Sequence, residues 1–310
     1  MQSKVPIFSR LPVLIVIILL NAMPSLVLAE QDDGMPKILR SGFLARIFSD
    51  TDPRDAKAAM ELMTREVSRK MGLNTSPRVD IYPDIKAMTG AIRRGELDLA
   101  SMPTVEYLRI REKVSLVPSF VGAHNNGMGS RYVLISHRNS GITSIGDLKG
   151  KTLLLLPAAK HELGQLWLDV LLMKAGKGNR ESYFRQVKET AKISHAIMGV
   201  FFRQADAAIV TRAGLDTSRQ LNPQLATQLV VLAESQFLSD GVTCFLGSAS
   251  ERFRQTTSKA INQLNETAFG RQLFTVFQTS GTTPFKPVYL EGVEELLHEH
   301  DRLKARTSMR

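Results

Sequence analysis

The sequence predicts an α/β protein of two lobes, each a mainly parallel sheet flanked by helices. Three observations carry that expectation. Short aliphatic runs alternate with amphipathic helical stretches, and the alternation begins twice along the chain. Residues 91–100 (AIRRGELDLA) are paralleled by residues 200–209 (VFFRQADAAI), each a helix end, a polar break, an Asp and a buried strand. Residues 146–176 then read as one complete turn, strand, turn and helix.

That last stretch organises the rest. Residues 147–150 are a polar turn that launches the apolar run 151–156, short and uninterrupted as in a strand buried on both faces. Pro157 stops it. A helix is expected to start near His161, with Leu163, Leu166, Trp167, Val170 and Leu171 on one stripe and Gly176 at its end. Residues 157–161 therefore sit at the carboxyl end of a parallel strand and over a helix N-terminus. Open α/β sheets place ligands there, and free backbone N–H groups favour an anion.

Taken in order, residues 38–43 are a first strand. Pro53 suits the first turn of a helix through Lys70, striped by Ala59, Leu62, Met63, Val67 and Met71. Residues 78–82 are a second strand, and Asp84 caps a helix over 85–94. Residues 97–102 are a third strand, with Pro103 opening a helix through Lys113. Residues 115–121 are a further apolar segment, and 122–129 a Gly- and Asn-containing loop. Residues 131–136 form a strand leading into the central stretch. Residues 183–187 fit a short strand, Ser194 a cap, 206–211 a buried strand, and 213 onward a helix up to Asn222-Pro223. Residues 229–232 and 243–246 are late strands. From Ser250 the chain is largely helical, interrupted at 281–287.

The chain has 310 residues, 43% of them hydrophobic, enough for two domains of ordinary size. Lys4 and Arg10 precede the aliphatic run 11–20, and Ala29 offers a cleavage site, so residues 1–29 read as a secretory signal peptide. Its removal takes two of the 40 basic and none of the 30 acidic residues, leaving an excess of eight cations. That balance reads first as a solvated basic surface, and it could also attract an acidic ligand or an anionic membrane surface. Basic residues are not interleaved with aromatics as nucleic-acid binding requires. Cys244 is the sole cysteine, which excludes an intrachain disulfide and a Cys-based zinc site. His124, His137 and His195 are scattered, so neither a metal nor another cofactor is expected. The sequence holds no G-x-S-x-G elbow, P-loop or H-E-x-x-H, and a non-enzymatic role is expected.

These residues resemble the phosphate, phosphite and phosphonate family of periplasmic solute-binding proteins, which serve ABC transporters. Pro103-Thr104-Val105-Glu106-Tyr107 is similar to the family's proline-and-tyrosine segment. Tyr132-Val133-Leu134-Ile135 leads through Ser140-Gly141-Ile142 to Asp147-Leu148-Lys149-Gly150-Lys151. Residues 197–209 and Val231-Leu232-Ala233-Glu234-Ser235 complete the match.

The resemblance implies a type II periplasmic binding protein with one lobe from residues 30–130 plus 234–310 and the other from 131–233. It implies a periplasmic, monomeric protein cleaved after Ala29 that holds a small anion between its lobes for a permease. Where the family carries a hydroxyl-rich cradle, residues 158–164 hold no hydroxyl. The candidate ligand residues are therefore Lys160 and His161 at the helix start and Thr211 and Arg212 after the later strand. Arg131 lies beside the hinge, and Thr104 and Tyr107 face them from the first lobe. A sensory or accessory module of the same fold, signalling to a membrane partner, remains the alternative.

Overall fold

The computed structural model describes residues 35–48, 52–73, 76–123, 127–276 and 279–308. The expected signal peptide and His124 lie outside the described residues. β1 (Arg40–Leu44) is followed by a short 3-10 turn (Ala45–Phe48), α1 (Pro53–Lys70), β2 (Arg78–Tyr82), α2 (Ile85–Arg93), β3 (Leu99–Pro103), α3 (Thr104–Ile110) and β4 (Leu116–Ala123). The chain continues through β5 (Tyr132–His137), β6 (Thr152–Leu155), α4 (Ala158–Lys174), α5 (Arg180–Tyr183), β7 (Gln186–Glu189), α6 (Ile193–Phe201), β8 (Ala207–Thr211), α7 (Arg212–Leu221), α8 (Gln224–Gln228) and β9 (Leu229–Glu234). It ends with β10 (Gly241–Leu246), α9 (Glu251–Asn265), α10 (Ala268–Val276), β11 (Gly281–Pro284) and α11 (Val288–Ser308).

Local chemistry explains most boundaries. Asp52 accepts the Arg54 N–H at 2.9 Å ahead of Pro53, and Asp84 accepts the Ala87 N–H at 2.8 Å, closing two N-termini. Ser144 and Asp147 form a reciprocal capping box, and the N–H groups and hydroxyls of Thr143 and Ser144 hold the Asp147 carboxyl below its usual range. Two expectations shift. α6 starts at Ile193 behind Lys192, so Ser194 lies inside the helix and is not its cap. Residues 183–187 divide into the end of α5, capped by Asn179, and the start of β7. Tyr183 is drawn into the core there, its hydroxyl donating to Ile145 O at 2.6 Å.

The strands form two sheets, one of six in the order β11-β4-β10-β3-β1-β2 and one of five in the order β7-β6-β8-β5-β9. In the first, β1 runs parallel to β2 and β3, while β10 is antiparallel to β3 and β4, and β11 to β4. In the second, β6 runs parallel to β7 and β8, and β5 is antiparallel to β8 and β9. Both sheets are thus mixed, where the sequence suggested mainly parallel ones. A βαβ crossover forces parallel pairing, but β5 and β10 enter their sheets from the other lobe with no crossover helix to set their direction. Every residue of β5 and β8 is buried, as their aliphatic content demands.

The resemblance between residues 91–100 and 200–209 has a structural counterpart. Asp98 accepts the Arg40 N–H at the head of β1 at 2.8 Å, and Asp206 accepts the Thr152 N–H at the head of β6 at 2.7 Å. In both sheets an aspartate before one strand clamps the first amide of its parallel neighbour, which sets the register.

Two segments cross between the sheets and pair with each other. Ser130 N–H donates to Leu238 O at 2.8 Å, and Leu238 N–H to Ser130 O at 2.9 Å. A Cβ on Gly129 would lie 2.0 Å from Leu238 O, so this approach requires glycine. α9 and α10 pack against α1 on the six-stranded sheet. α11 packs against both α3 and α4. Its Leu290 joins the cluster of Tyr107, Ile110 and Val242, while Val293 and Leu296 join that of Leu153, Leu168 and Ile209.

Candidate functional site

A cleft of about 1040 Å³ opens between the two sheets, lined from both. Arg46, Ser101 and Met102 contribute from the six-stranded side, His161, Glu162, Thr211 and Arg212 from the five-stranded side. Ser130, Arg131, Glu234 and Asp240 line it along the crossings. The carboxyl ends of β3 and β8 and the start of α4 all reach it, as the order of strands and helices leads one to expect.

α4 begins at Ala158, earlier than the expected start near His161. Pro157 is its N-cap residue and offers no side-chain hydrogen bond to the first turn. At His161 the backbone leaves helical values (φ −119°, ψ 35°), so a separate first turn precedes the regular helix. The His161 ring stands edge-on to Tyr132, with centroids 6.2 Å apart. Tyr132 is wholly buried beneath it, and burial pushes its hydroxyl pKa well up, so it stays protonated. A Cβ on Gly164 would lie 2.5 Å from the Tyr132 ring, which is how α4 comes so close to β5.

Two ion clusters dominate the electrostatics. Arg46 donates from Nη1 to Glu106 Oε1 at 2.9 Å and from Nη2 to Glu162 Oε2 at 2.8 Å. The same Nη2 lies 3.4 Å from Ala158 O. Arg109 flanks both carboxylates at 3.8 Å. Because Arg46 follows β1 and Glu162 lies on α4, this cluster ties one sheet's lobe to the other. The second cluster lies on the five-stranded side. Arg212 makes a two-pronged contact with Glu234, Nε to Oε1 at 3.1 Å and Nη2 to Oε2, and Arg131 approaches the same carboxylate at 3.7 Å. The Arg212 guanidinium holds the Glu234 carboxyl below its ordinary value, and Glu234 in turn raises Arg212.

Hydroxyls absent from the start of α4 appear elsewhere on the cleft wall. Ser101 Oγ and Thr243 Oγ1 lie 2.8 Å apart on adjacent strands β3 and β10, and Ser130 Oγ donates to Asp240 at 3.2 Å.

The chain from residue 46 to 289 matches the model of the ABC transporter, phosphonate, periplasmic substrate-binding protein family. The chain belongs to this family. No curated sequence matches it. Among solved structures, this phosphonate-binding-family chain is similar to the Xanthomonas citri protein XAC2383 bound to ATP. The TM-score is 0.62 at 16% identity, over 87% of this chain and 99% of that one. It is similar to a binding protein component of an ABC phosphonate transporter from Pseudomonas aeruginosa, with TM-score 0.58, 14% identity, and coverage of 87% and 88%. The PhnD1 protein of Prochlorococcus marinus in complex with methylphosphonate gives TM-score 0.58 at 15% identity, over 86% of this chain and 99% of that one. At these identities the likeness is one of fold, and the fold is that of the type II periplasmic binding proteins.

Of the residues expected from sequence, Arg131, His161, Thr211 and Arg212 line the cleft. Thr211 caps α7, its hydroxyl accepting the Gly214 N–H at 3.1 Å. Thr104 and Tyr107 do not line it. Thr104 is fully buried, its N–H on Asp240 O and its hydroxyl without a hydrogen-bond partner among the described residues. Tyr107 packs into the six-stranded side's core, and burial raises its hydroxyl pKa. Lys160 lies in the first turn of α4, its side chain outside what is described. Sequence reasoning missed Arg46, which falls between β1 and α1 with no motif around it. Among the described residues no group of His, Cys, Asp and Glu could hold a metal ion.

Proposed function

We propose that this family member captures a small phosphonate- or phosphate-like anion in the cleft and presents it to an ABC permease. The observation that carries the reading is the convergence of three guanidinium groups, Arg46, Arg131 and Arg212, on one cleft fed by both sheets. Guanidinium forks match the paired oxygens of a phosphonate or phosphate, and the Ser101, Thr243 and Ser130 hydroxyls can meet its remaining oxygens. Two bodies, one built on each sheet, with β9 through Glu234 on the five-stranded one, close about the crossings when both contact the anion. The neighbours bound to methylphosphonate, ATP and chloride are consistent with an anion site on this fold.

Calorimetry against phosphate, methylphosphonate, small sulfonates and carboxylates is the test, with Arg46→Ala and Arg212→Ala as controls. Binding of one anion class, lost in both variants, supports the reading. No binding across the panel overturns it. One observation favours a second reading, an accessory or sensory module: all three cleft arginines are already paired with the chain's own carboxylates. Export with cleavage after Ala29 and a monomeric state belong to the main reading. N-terminal sequencing and sedimentation check them.

A further inference from the structure

The ion cluster around Arg46 differs from an ordinary surface pair in where its ends are fixed. Glu106 is held on the short helix α3, its side chain 10% exposed, and cannot leave without breaking that lobe's packing. Glu162 stands just past the first turn of α4, on the other lobe, with its side chain 22% exposed. Arg46 spans the cleft between them, bonded to both. A carboxylate of the chain thus sits on an arginine fork beside a helix start whose N-cap residue, Pro157, offers no side-chain hydrogen bond. That is the electrostatic arrangement a bound oxyanion would seek.

We infer that Glu162 is a built-in surrogate for the ligand's anionic group. It sets the affinity of the cleft by competing for Arg46, and it latches the lobes together while it does so. This rests on the anion reading above. In the self-paired state both Arg46 Nη atoms are already held by carboxylates, so that state binds an incoming oxyanion poorly. The observed affinity is reduced by the fraction of molecules it occupies. An entering anion takes the Arg46 fork, and Glu162 turns out to solvent, past Arg109. The second cluster carries no latch. Arg212, Arg131 and Glu234 all belong to the five-stranded side, and their pairing is indifferent to the distance between lobes.

The test uses the full mature chain with spin labels on exposed positions of the two lobes, Lys86→Cys on α2 and Gln220→Cys on α7. Distances are measured in phosphate-free buffer in the otherwise wild-type protein, in Glu162→Gln, and in Glu234→Gln as the within-lobe control. The expected result is a shift toward longer separations in Glu162→Gln alone. Inorganic phosphate and methylphosphonate are then titrated, and Glu162→Gln should bind the accepted anion roughly three- to tenfold more tightly, the scale of one ordinary net hydrogen bond released. Unchanged separations in Glu162→Gln overturn the latch. Unchanged or weaker affinity overturns the competition. Absence of binding by every protein overturns the anion reading itself, and the label distances then decide the latch by themselves.

Discussion

The two ion clusters of the cleft are built from the same residue types and behave as opposites. One joins Arg46 to Glu106 and Glu162 across the lobes, and the other joins Arg212 and Arg131 to Glu234 within one lobe. A pair inside one rigid body contributes a near-constant free energy whatever the domain angle. A pair between bodies contributes only when they meet, so it biases the conformational equilibrium. What a charged pair does here depends on which elements carry it rather than on its geometry.

Breaking the cross-lobe cluster should have the largest effect. Arg46→Ala leaves the sheltered Glu106 carboxylate facing Glu162 with only the more exposed Arg109, 3.8 Å from each, as counterion. We expect a loss of roughly 2–3 kcal/mol in urea denaturation, somewhat below the cost of breaking a fully buried pair because Arg46 is 30% exposed. A loss under half a kcal/mol (on the order of an isolated surface pair) would make the two clusters equivalent. Gly164→Ala attacks the same cluster from behind. The added Cβ would press on the immobile Tyr132 ring and displace α4, which carries Glu162, costing about 1–2 kcal/mol. A crystal structure of that variant should show the Arg46–Glu162 contact lengthened and Arg212–Glu234 unchanged.

Glu234→Gln is the milder, within-lobe counterpart. Removing a carboxylate whose side chain is 29% exposed should cost about 1 kcal/mol or less, and phosphate should bind more tightly because two guanidiniums are freed. Weaker phosphate binding would place Glu234 among the residues that orient the arginines. The smallest effect concerns pH. Glu234 has a folded-state pKa depressed below its ordinary 4.5, chiefly by Arg212. Its contribution is complete above that ordinary value and is lost as pH falls through the depressed one. The melting temperature of the wild type should therefore converge on that of Glu234→Gln as pH drops below 4.5. A constant difference down the acid range would show that the pair adds nothing through ionisation.

How far the fold could be read ahead differs by length scale. Asp84 and Pro53 announced helix starts correctly because a cap and a fixed φ act within three residues. The aspartates at 98 and 206 were visible as a repeated pattern, although their partners, the amides of Arg40 and Thr152, were not. The antiparallel direction of β5 and β10 was not legible, since the alternation of strands and helices says nothing about strands that arrive from the other lobe. Of the residues expected at the site, Arg212 and Arg131 line the cleft because they follow or precede buried strands that end there. Thr104 and Tyr107 follow β3 in the same way, yet α3 turns them into the core.

The sequence by itself determined most of the elements, caps such as Asp84, the two-lobed α/β class and the family, because periodicity, turn chemistry and short motifs act over a few residues. Only the tertiary structure decided that Arg46 meets Glu162, 116 residues away, and that Glu234 falls between two arginines. Side-chain charge carries no address of its own. Its partner is chosen by how sheets stack and chains cross, and those long-range packings set which carboxylate stands where an anion would bind.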